Sequence, residues 1–289
     1  LMPCTTIIEG SAPPGRASRL GLSQNRAGSR SPVALSTVKR HDFGAMKTRL
    51  FVSGDLINGA EILIEGDRAR YLGRVLRLRV GDEVVVFNGA GPEWAASIAA
   101  MTKTTATLEV GESTDAATES PLKIHLVQGI SRGERMDYVV QKATELGVKR
   151  ITPVFTEYGV VKLDEKRAAK RRDHWEGVAA SACEQCGRTR LPLIDAPLPL
   201  KSWFGMKPAD ADVDLVLAPG AGTPLATVPA PGTKVCILIG PEGGFSQVEY
   251  EDADVSGFQA VSLGPRILRT ETAAAAALAV MQASWGDFS

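Results

Sequence analysis

Nowhere in the 289 residues does an apolar run approach the 18 or so needed to cross a bilayer; the longest candidate is the alanine-rich stretch 273–281, so a transmembrane helix is excluded. Charge of one sign is lacking as well. With 33 Lys and Arg against 33 Asp and Glu, the chain is no histone-like coat for nucleic acid, and any such contact must come from local basic patches. Four cysteines are too few for a disulfide scaffold and suit a reducing compartment. Cys183-Glu-Gln-Cys186 invites a zinc or redox reading. The other thiols, Cys4 and Cys236, and the three histidines (His41, His125, His174) fall at no ligand spacing, however, and no metal is expected. The pair also lies at the end of a predicted helix, whereas a thioredoxin-like pair opens one after a strand. What is present is 44% apolar residues, enough for ordinary cores in two domains of a soluble protein.

Residues 1–45 carry Arg16, Arg19, Arg26, Arg30, Lys39 and Arg40 against Glu9 and Asp42, with many Ser, Gly and Pro and no sustained apolar period. They read as a disordered tail, or as an extension upstream of a natural start at Met46, and not as a secretory signal. From 50 to 110 the pattern is short and mostly β, with strands predicted at 61–64, 83–87, 94–99 and 105–110 and turn chemistry at Asn88-Gly89 and Gly91-Pro92. One helix is predicted over 68–79. It would put Tyr71, Leu72, Val75 and Leu76 on an apolar face and Arg70, Arg74 and Arg77, with Arg79 beyond, on a basic one. A small barrel with a basic helix suited to phosphates follows. The polar stretch 111–121 reads as a linker.

Beyond it, buried strands alternate with helices: strands at 124–129, 151–155, 213–218, 235–240 and 260–264, and helices at 134–146, 164–185, after Ser246, and 271–285. That alternation predicts an α/β fold with a mainly parallel sheet. Its two chemically suggestive loops follow strands. Gly240-Pro-Glu-Gly-Gly244 precedes a capping box, Ser246 with Glu249, and its glycines let backbone approach an acceptor or anion. The second, Pro265-Arg-Ile-Leu-Arg269, holds Ile267 and Leu268 between Arg266 and Arg269, as a pocket for a flat apolar ring beside a charged centre would need. Thr270 is placed to cap the helix that follows. Lys166, Arg167, Lys170, Arg171 and Arg172 form a second basic cluster, equally readable as a solvated helix face.

Six stretches in this order resemble one family: Ser131-Arg-Gly-Glu-Arg-Met-Asp137, Gln141-Lys-Ala-Thr-Glu-Leu-Gly147, Ile151-Thr-Pro153, Cys183-Glu-Gln-Cys-Gly-Arg188, Ile239-Gly-Pro-Glu-Gly-Gly-Phe-Ser246 and Leu263-Gly-Pro-Arg-Ile-Leu-Arg-Thr-Glu-Thr-Ala273. Residues 46–289 resemble the RsmE-type 16S ribosomal RNA uridine N3-methyltransferases of the SPOUT superfamily. The resemblance implies a PUA-like RNA-binding barrel at 46–117 and a methyltransferase domain at 122–289 whose C-terminal part forms a deep trefoil knot. It implies a cytoplasmic homodimer that acts on 16S ribosomal RNA of the 30S subunit with S-adenosylmethionine and no metal. The cofactor residues it implies are Leu217, Ala218, Gly240, Pro241, Glu242, Gly243, Gly244, Leu263, Gly264, Ile267, Leu268 and Thr270. Arg269 is expected as the main electrostatic group and Arg135 and Arg188 as helpers. Glu184 and Glu242 are candidates for a base, and Arg132 joins the basic helix as an RNA contact. One departure is Thr156-Glu157-Tyr158-Gly159, where relatives commonly carry Thr-Glu-Arg.

Two other readings make different demands. A Rossmann-type enzyme places its glycine loop after an early strand, with an acid about 20 residues on; here the loop is near the C-terminus. A PUA-like binding or assembly factor without catalysis would not bind S-adenosylmethionine, and the unbroken Gly-Pro-Glu-Gly-Gly and Leu-Arg-Thr-Glu-Thr stretches argue against such decay.

Overall fold

The computed structural model describes residues 47–116, 118–159 and 164–288; the tail expected at 1–45 lies outside them. The first layer of structure is a five-stranded sheet made of β1 (Arg49–Phe51), β2 (Glu61–Glu65), β3 (Glu83–Phe87), β4 (Pro92–Met101) and β5 (Thr105–Asp115), in the order β1-β3-β4-β5-β2. β1 runs parallel to β3 and the other pairs are antiparallel. Two register shifts in β4, at Trp94/Ala96 and Ile98/Ala100, bend the sheet around Leu50, Ile64, Val84, Val86, Ile98 and Leu108. Among the described residues no ladder joins β1 to β2, so the barrel is open on that side.

The helix predicted over 68–79 is shorter and differently wound. Helix α1 (Gly66–Arg70) passes into a single π turn at Tyr71–Val75, and Arg77 takes a left-handed φ of 57°. The wider turn swings Tyr71 and Val75 into solvent and leaves Ala69 and Leu72 as the buried pair. Arg70 and Arg74 therefore stay on the helical segment, while Arg77 and Arg79 belong to the turn after it. The predicted linker is also shorter, because β5 continues to Asp115 opposite Pro92.

The second sheet takes the order β12-β10-β11-β6-β7-β8 from β6 (Lys123–Gly129), β7 (Arg150–Phe155), β8 (Leu193–Ile194), β10 (Val213–Leu217), β11 (Lys234–Ile239) and β12 (Gln259–Val261), with β9 (Leu198–Pro199) also on β7. Every ladder in it is parallel. Its strands alternate between two cores. Val235, Ile237 and Ile239 face one with Leu215 and Ile124, while Cys236 and Leu238 face the other with Val216 and Val127. Helices α2 (Glu134–Glu145), α3 (Glu165–Cys186) and α6 (Thr270–Trp285) cover the first face through Met136, Val140, Trp175, Ala277 and Met281. Helices α4 (Leu200–Met206) and α5 (Gln247–Val255) cover the second through Trp203 and Ala253, with Phe245 and Phe258 between them. Truncating such a fully buried Leu or Met to Ala costs about 2–5 kcal/mol.

The caps follow the sequence with one exception. Asp164 accepts from the Arg167 amide at 2.8 Å, Gly187 ends α3 at a φ of 86°, and Ser246 and Glu249 form the capping box of α5. Thr270 does not cap α6: Arg269 holds that position, and Thr270 is the first helical residue with its hydroxyl turned inward. No helix among the described residues is long and apolar enough to cross a membrane.

Candidate active site

In an open parallel sheet, ligands gather where loops leave the carboxyl ends of the strands. Here three loops do so together, after β10, β11 and β12, and they enclose a cavity of about 410 Å³. Eleven of the twelve residues expected to hold the cofactor line it: Leu217 and Ala218; Gly240, Pro241, Glu242 and Gly244; and Leu263, Gly264, Ile267, Leu268 and Thr270. Arg269 and Arg135 line it as well. Leucine and isoleucine side chains supply flat apolar surface, and loop backbone supplies donors and acceptors, the combination typical of a small-molecule site.

The loops are held from beneath. Thr270 Oγ1 donates to Gly240 O at 2.7 Å and accepts from Nε2 of the buried Gln128 at 3.0 Å, which joins β6, the glycine loop and the start of α6. Gly129 allows this closeness, since a Cβ there would lie 2.4 Å from Pro241 Cδ. At the rim, Glu242 Oε1 accepts from Arg135 Nη1 at 2.7 Å and from the Arg132 amide at 3.2 Å. Burial pushes the Glu242 carboxyl up, but the Arg135 partner and these amides outweigh it and hold the carboxyl below the usual range; the same bond raises the Arg135 guanidinium. Glu242 is thus an anchor for Arg135 in its ionised form.

Other expected residues lie elsewhere. Gly243 is outside the cavity wall: it packs on Tyr158, whose Cβ and O would lie 2.9 Å from a Cβ at Gly243. Arg188 is not presented to the cavity, and this corrects the expectation of a catalytic helper. Its side chain is 4% exposed, with Nε and Nη2 on Glu119 at 3.2 and 3.0 Å and Nη1 on the carbonyls of Thr144 and Val148 at 2.7 and 3.0 Å. Glu184, a candidate base, is likewise turned away. It accepts from the Phe51 amide and from Arg68 Nη2, both at 2.8 Å, where the first sheet meets α3. Burial pushes the Cys183 thiol up to about 12, the behaviour of a structural thiol. Sequence reasoning missed Arg266, Tyr250, Pro219 and Glu271 in the wall, although Arg266 sits inside a stretch it singled out.

Residues 118–282 match the model of an RNA methyltransferase domain and residues 64–111 that of an RNA methyltransferase PUA domain. The ribosomal RNA small subunit methyltransferase E of Buchnera aphidicola (Schizaphis graminum) is 35% identical over 83% of this chain and 98% of its own. That of Bacillus subtilis is 29% identical over 75% of this chain and 88% of its own. The chain belongs to the ribosomal RNA small subunit methyltransferase E family. A solved member of that family from Neisseria gonorrhoeae, bound to S-adenosylmethionine, superposes with a TM-score of 0.77 at 37% identity, covering 84% of this chain and 100% of the other. A Legionella pneumophila protein solved with its cofactor S-adenosylmethionine gives the same TM-score at 39% identity over 84% and 99% of the two chains.

As a member of this family, the protein is an RNA methyltransferase with a PUA-like domain on a parallel α/β domain. The Arg-bearing loop and the glycine loop line the same cavity. Tyr158 lies against Gly243 of the glycine loop and is half exposed.

Proposed function

We propose that this chain uses S-adenosylmethionine to methylate N3 of one uridine in 16S ribosomal RNA of the small subunit, in the cytoplasm. The observation that carries this reading is the convergence of Leu217, Gly240, Leu263, Ile267, Leu268 and Arg269, from three separate loops, on one cavity. The cavity fits the group: apolar side chains suit an adenine ring, and the glycine cradle leaves backbone within reach of polar atoms. When bound, S-adenosylmethionine supplies an electrophilic methyl on a sulfonium. The chain's own residues prepare the acceptor. An imide nitrogen attacks only as its proton leaves, and the resulting charge spreads onto the two ring carbonyls. Arg269, exposed at the rim, and Arg135, held in place by Glu242, are two of the three cations in the wall, beside Arg266, and are placed to stabilise it.

Two architectural readings accompany this one. A trefoil knot is supported by the way residues 223–225 grip the chain after β12: Ser262 N donates to Thr223 O and Leu225 N to Ser262 O, each at 2.9 Å, while α6 returns to pack on α2. A homodimer is supported by Ile267, an apolar side chain left 86% exposed at the rim of the site, which a second copy would cover. The RNA would meet the barrel at Arg70, Arg74, Arg77 and Arg79 and the rim at Arg132.

The test is transfer of labelled methyl from S-adenosylmethionine to small subunits lacking the modification, followed by nucleoside mass spectrometry. Appearance of 3-methyluridine at a single position is the expected result; cofactor binding without transfer would sink the substrate assignment.

A further inference from the structure

Glu184 and Arg188, two residues of one motif, sit where the barrel joins the α/β domain. The geometry there is reciprocal. From α3, Glu184 accepts the backbone N–H of Phe51 in β1 at 2.8 Å; from β1, Arg49 Nη2 donates to the backbone carbonyl of Arg188 at 3.2 Å. Each domain thus lends a charged side chain to the main chain of the other. Main-chain anchors cannot change rotamer, so the exchange fixes an angle as well as a separation. Two further main-chain contacts lie beside it, an antiparallel bridge between Ala90 and Arg190 and the Leu191 amide on Gly89 O at 3.4 Å. Arg49 is itself held, by an ion pair with Glu93 and by stacking of its guanidinium 5.1 Å from the Phe87 ring centre.

Glu184 does one thing more. The same Oε1 that takes the Phe51 amide accepts from Arg68 Nη2 at 2.8 Å, and Arg68 belongs to α1, which also holds Arg70 and whose continuation carries Arg74. A single carboxylate on the α/β domain therefore pins both the first strand of the barrel and the helix that bears its basic side chains.

We infer that Glu184 is a positioning residue: it sets the orientation of the barrel, and with it the path by which RNA bound on α1 is delivered to the α/β domain. The inference rests on the functional reading above for its RNA, but the joint is testable without it. The role predicts a division between binding and chemistry. Loss of the carboxylate leaves the cavity loops untouched, so cofactor affinity stays as in wild type; delivery of RNA becomes less well directed, so KM for small subunits rises while kcat at saturation is retained.

The experiment compares wild type with Glu184→Ala, Glu184→Gln and Arg68→Ala in the full chain. Cofactor binding is read by calorimetry, methyl transfer by KM and kcat on small subunits, and barrel orientation by distance distributions between spin labels carried on non-canonical residues at the exposed positions Lys103 and Lys201. Glu184→Ala is expected to broaden the distance distribution and raise KM by about fivefold or more at unchanged cofactor affinity. Glu184→Gln, which keeps an acceptor for the Phe51 amide, and Arg68→Ala, which removes only the ion pair, should each give a smaller effect. Exchanging the charges, Glu184→Arg with Arg68→Glu, restores the pairing of α1 but not the amide contact, and should recover part of the loss. An unchanged distance distribution and KM in Glu184→Ala overturns the inference. A fall in kcat at unchanged KM overturns it in the other direction, by returning Glu184 to the chemistry. If wild type transfers no methyl to small subunits, the functional reading fails, and the label distances still decide the joint.

Discussion

The hydroxyl of Thr270 donates to the carbonyl oxygen of Gly240, thirty residues earlier in the chain, at 2.7 Å. This bond ties the glycine loop to the first turn of α6, and Gln128 secures it from below. Thr270→Val keeps the shape and removes the hydroxyl, leaving Gly240 O with the longer contact from Gln128 Nε2 at 3.4 Å while Gln128 keeps Gly129 O at 3.1 Å. The lost bond is worth about 0.5–1.5 kcal/mol, so cofactor affinity should fall by roughly two- to tenfold. Calorimetric titration with S-adenosylmethionine checks this, and an unchanged Kd would show that the loop is held by other contacts.

Arg269→Ala should separate transition-state stabilisation from binding. Arg269 lines the cavity but contributes an exposed side chain, so its removal is expected to lower kcat by about 100-fold or more with only a few-fold change in cofactor Kd. Equal losses in both would assign Arg269 to the cofactor pocket instead.

Arg188→Ala should behave as a stability variant. It leaves Glu119 with Lys149 and the Arg190 amide, Thr144 O with the Gly147 amide, and Val148 O without its side-chain donor, a loss of about 3–5 kcal/mol for a buried pair. Residual activity should track the folded fraction in urea titrations. A fully folded variant with lost activity would restore the catalytic assignment. Burial pushes the Glu119 carboxyl up, yet its Arg188 and Lys149 partners hold it below its ordinary 4.5. The stability this gives is complete above about pH 4.5 and is lost as pH falls through the lowered value, so Glu119→Gln should flatten the acid limb of the stability curve.

His125 gives a second pH dependence in a different window. Burial, then the Arg150 charge, lowers its imidazole from 6.5 to about 4. Thr152 Oγ1 donates to Asp195 and so accepts from Nε2–H of a neutral His125 at 2.7 Å. The unfolded chain takes up this proton first as pH falls, so the contribution is full above pH 6.5 and drains away towards pH 4, by up to about 3 kcal/mol. Denaturant titrations of wild type and His125→Gln at pH 7.5, 5.5 and 4.5 test it: identical pH slopes in the two proteins would clear His125 of the effect.

Much of the fold is legible in the sequence because local signals and tertiary demands agree there. Asp164 and Gly187 mark both ends of α3, Ser246 and Glu249 open α5, and the apolar stretch 235–239 reads as a strand buried on both faces. The misreadings occur where one period was carried too far. Residues 68–79 show helical spacing, but the wider turn at Tyr71–Val75 changes which residues are buried, and periodicity at 3.6 cannot register that. Polar composition made 111–121 a linker, although an edge position opposite β4 suits the same residues as strand up to Asp115. At the site, the loops were legible as glycine and arginine patterns at strand ends. The roles of Arg188 and Glu184 were not, because their partners, Glu119 and Phe51, lie 69 and 133 residues away and belong to no shared motif.

The bond between Thr270 and Gly240 also bears on time. Two walls of the cavity are fastened to each other and to Gln128, so neither can swing out alone. Spent cofactor should therefore leave through a single concerted opening, with one dissociation rate in place of a fast and a slow phase, and that rate should rise in step with the affinity lost in Thr270→Val.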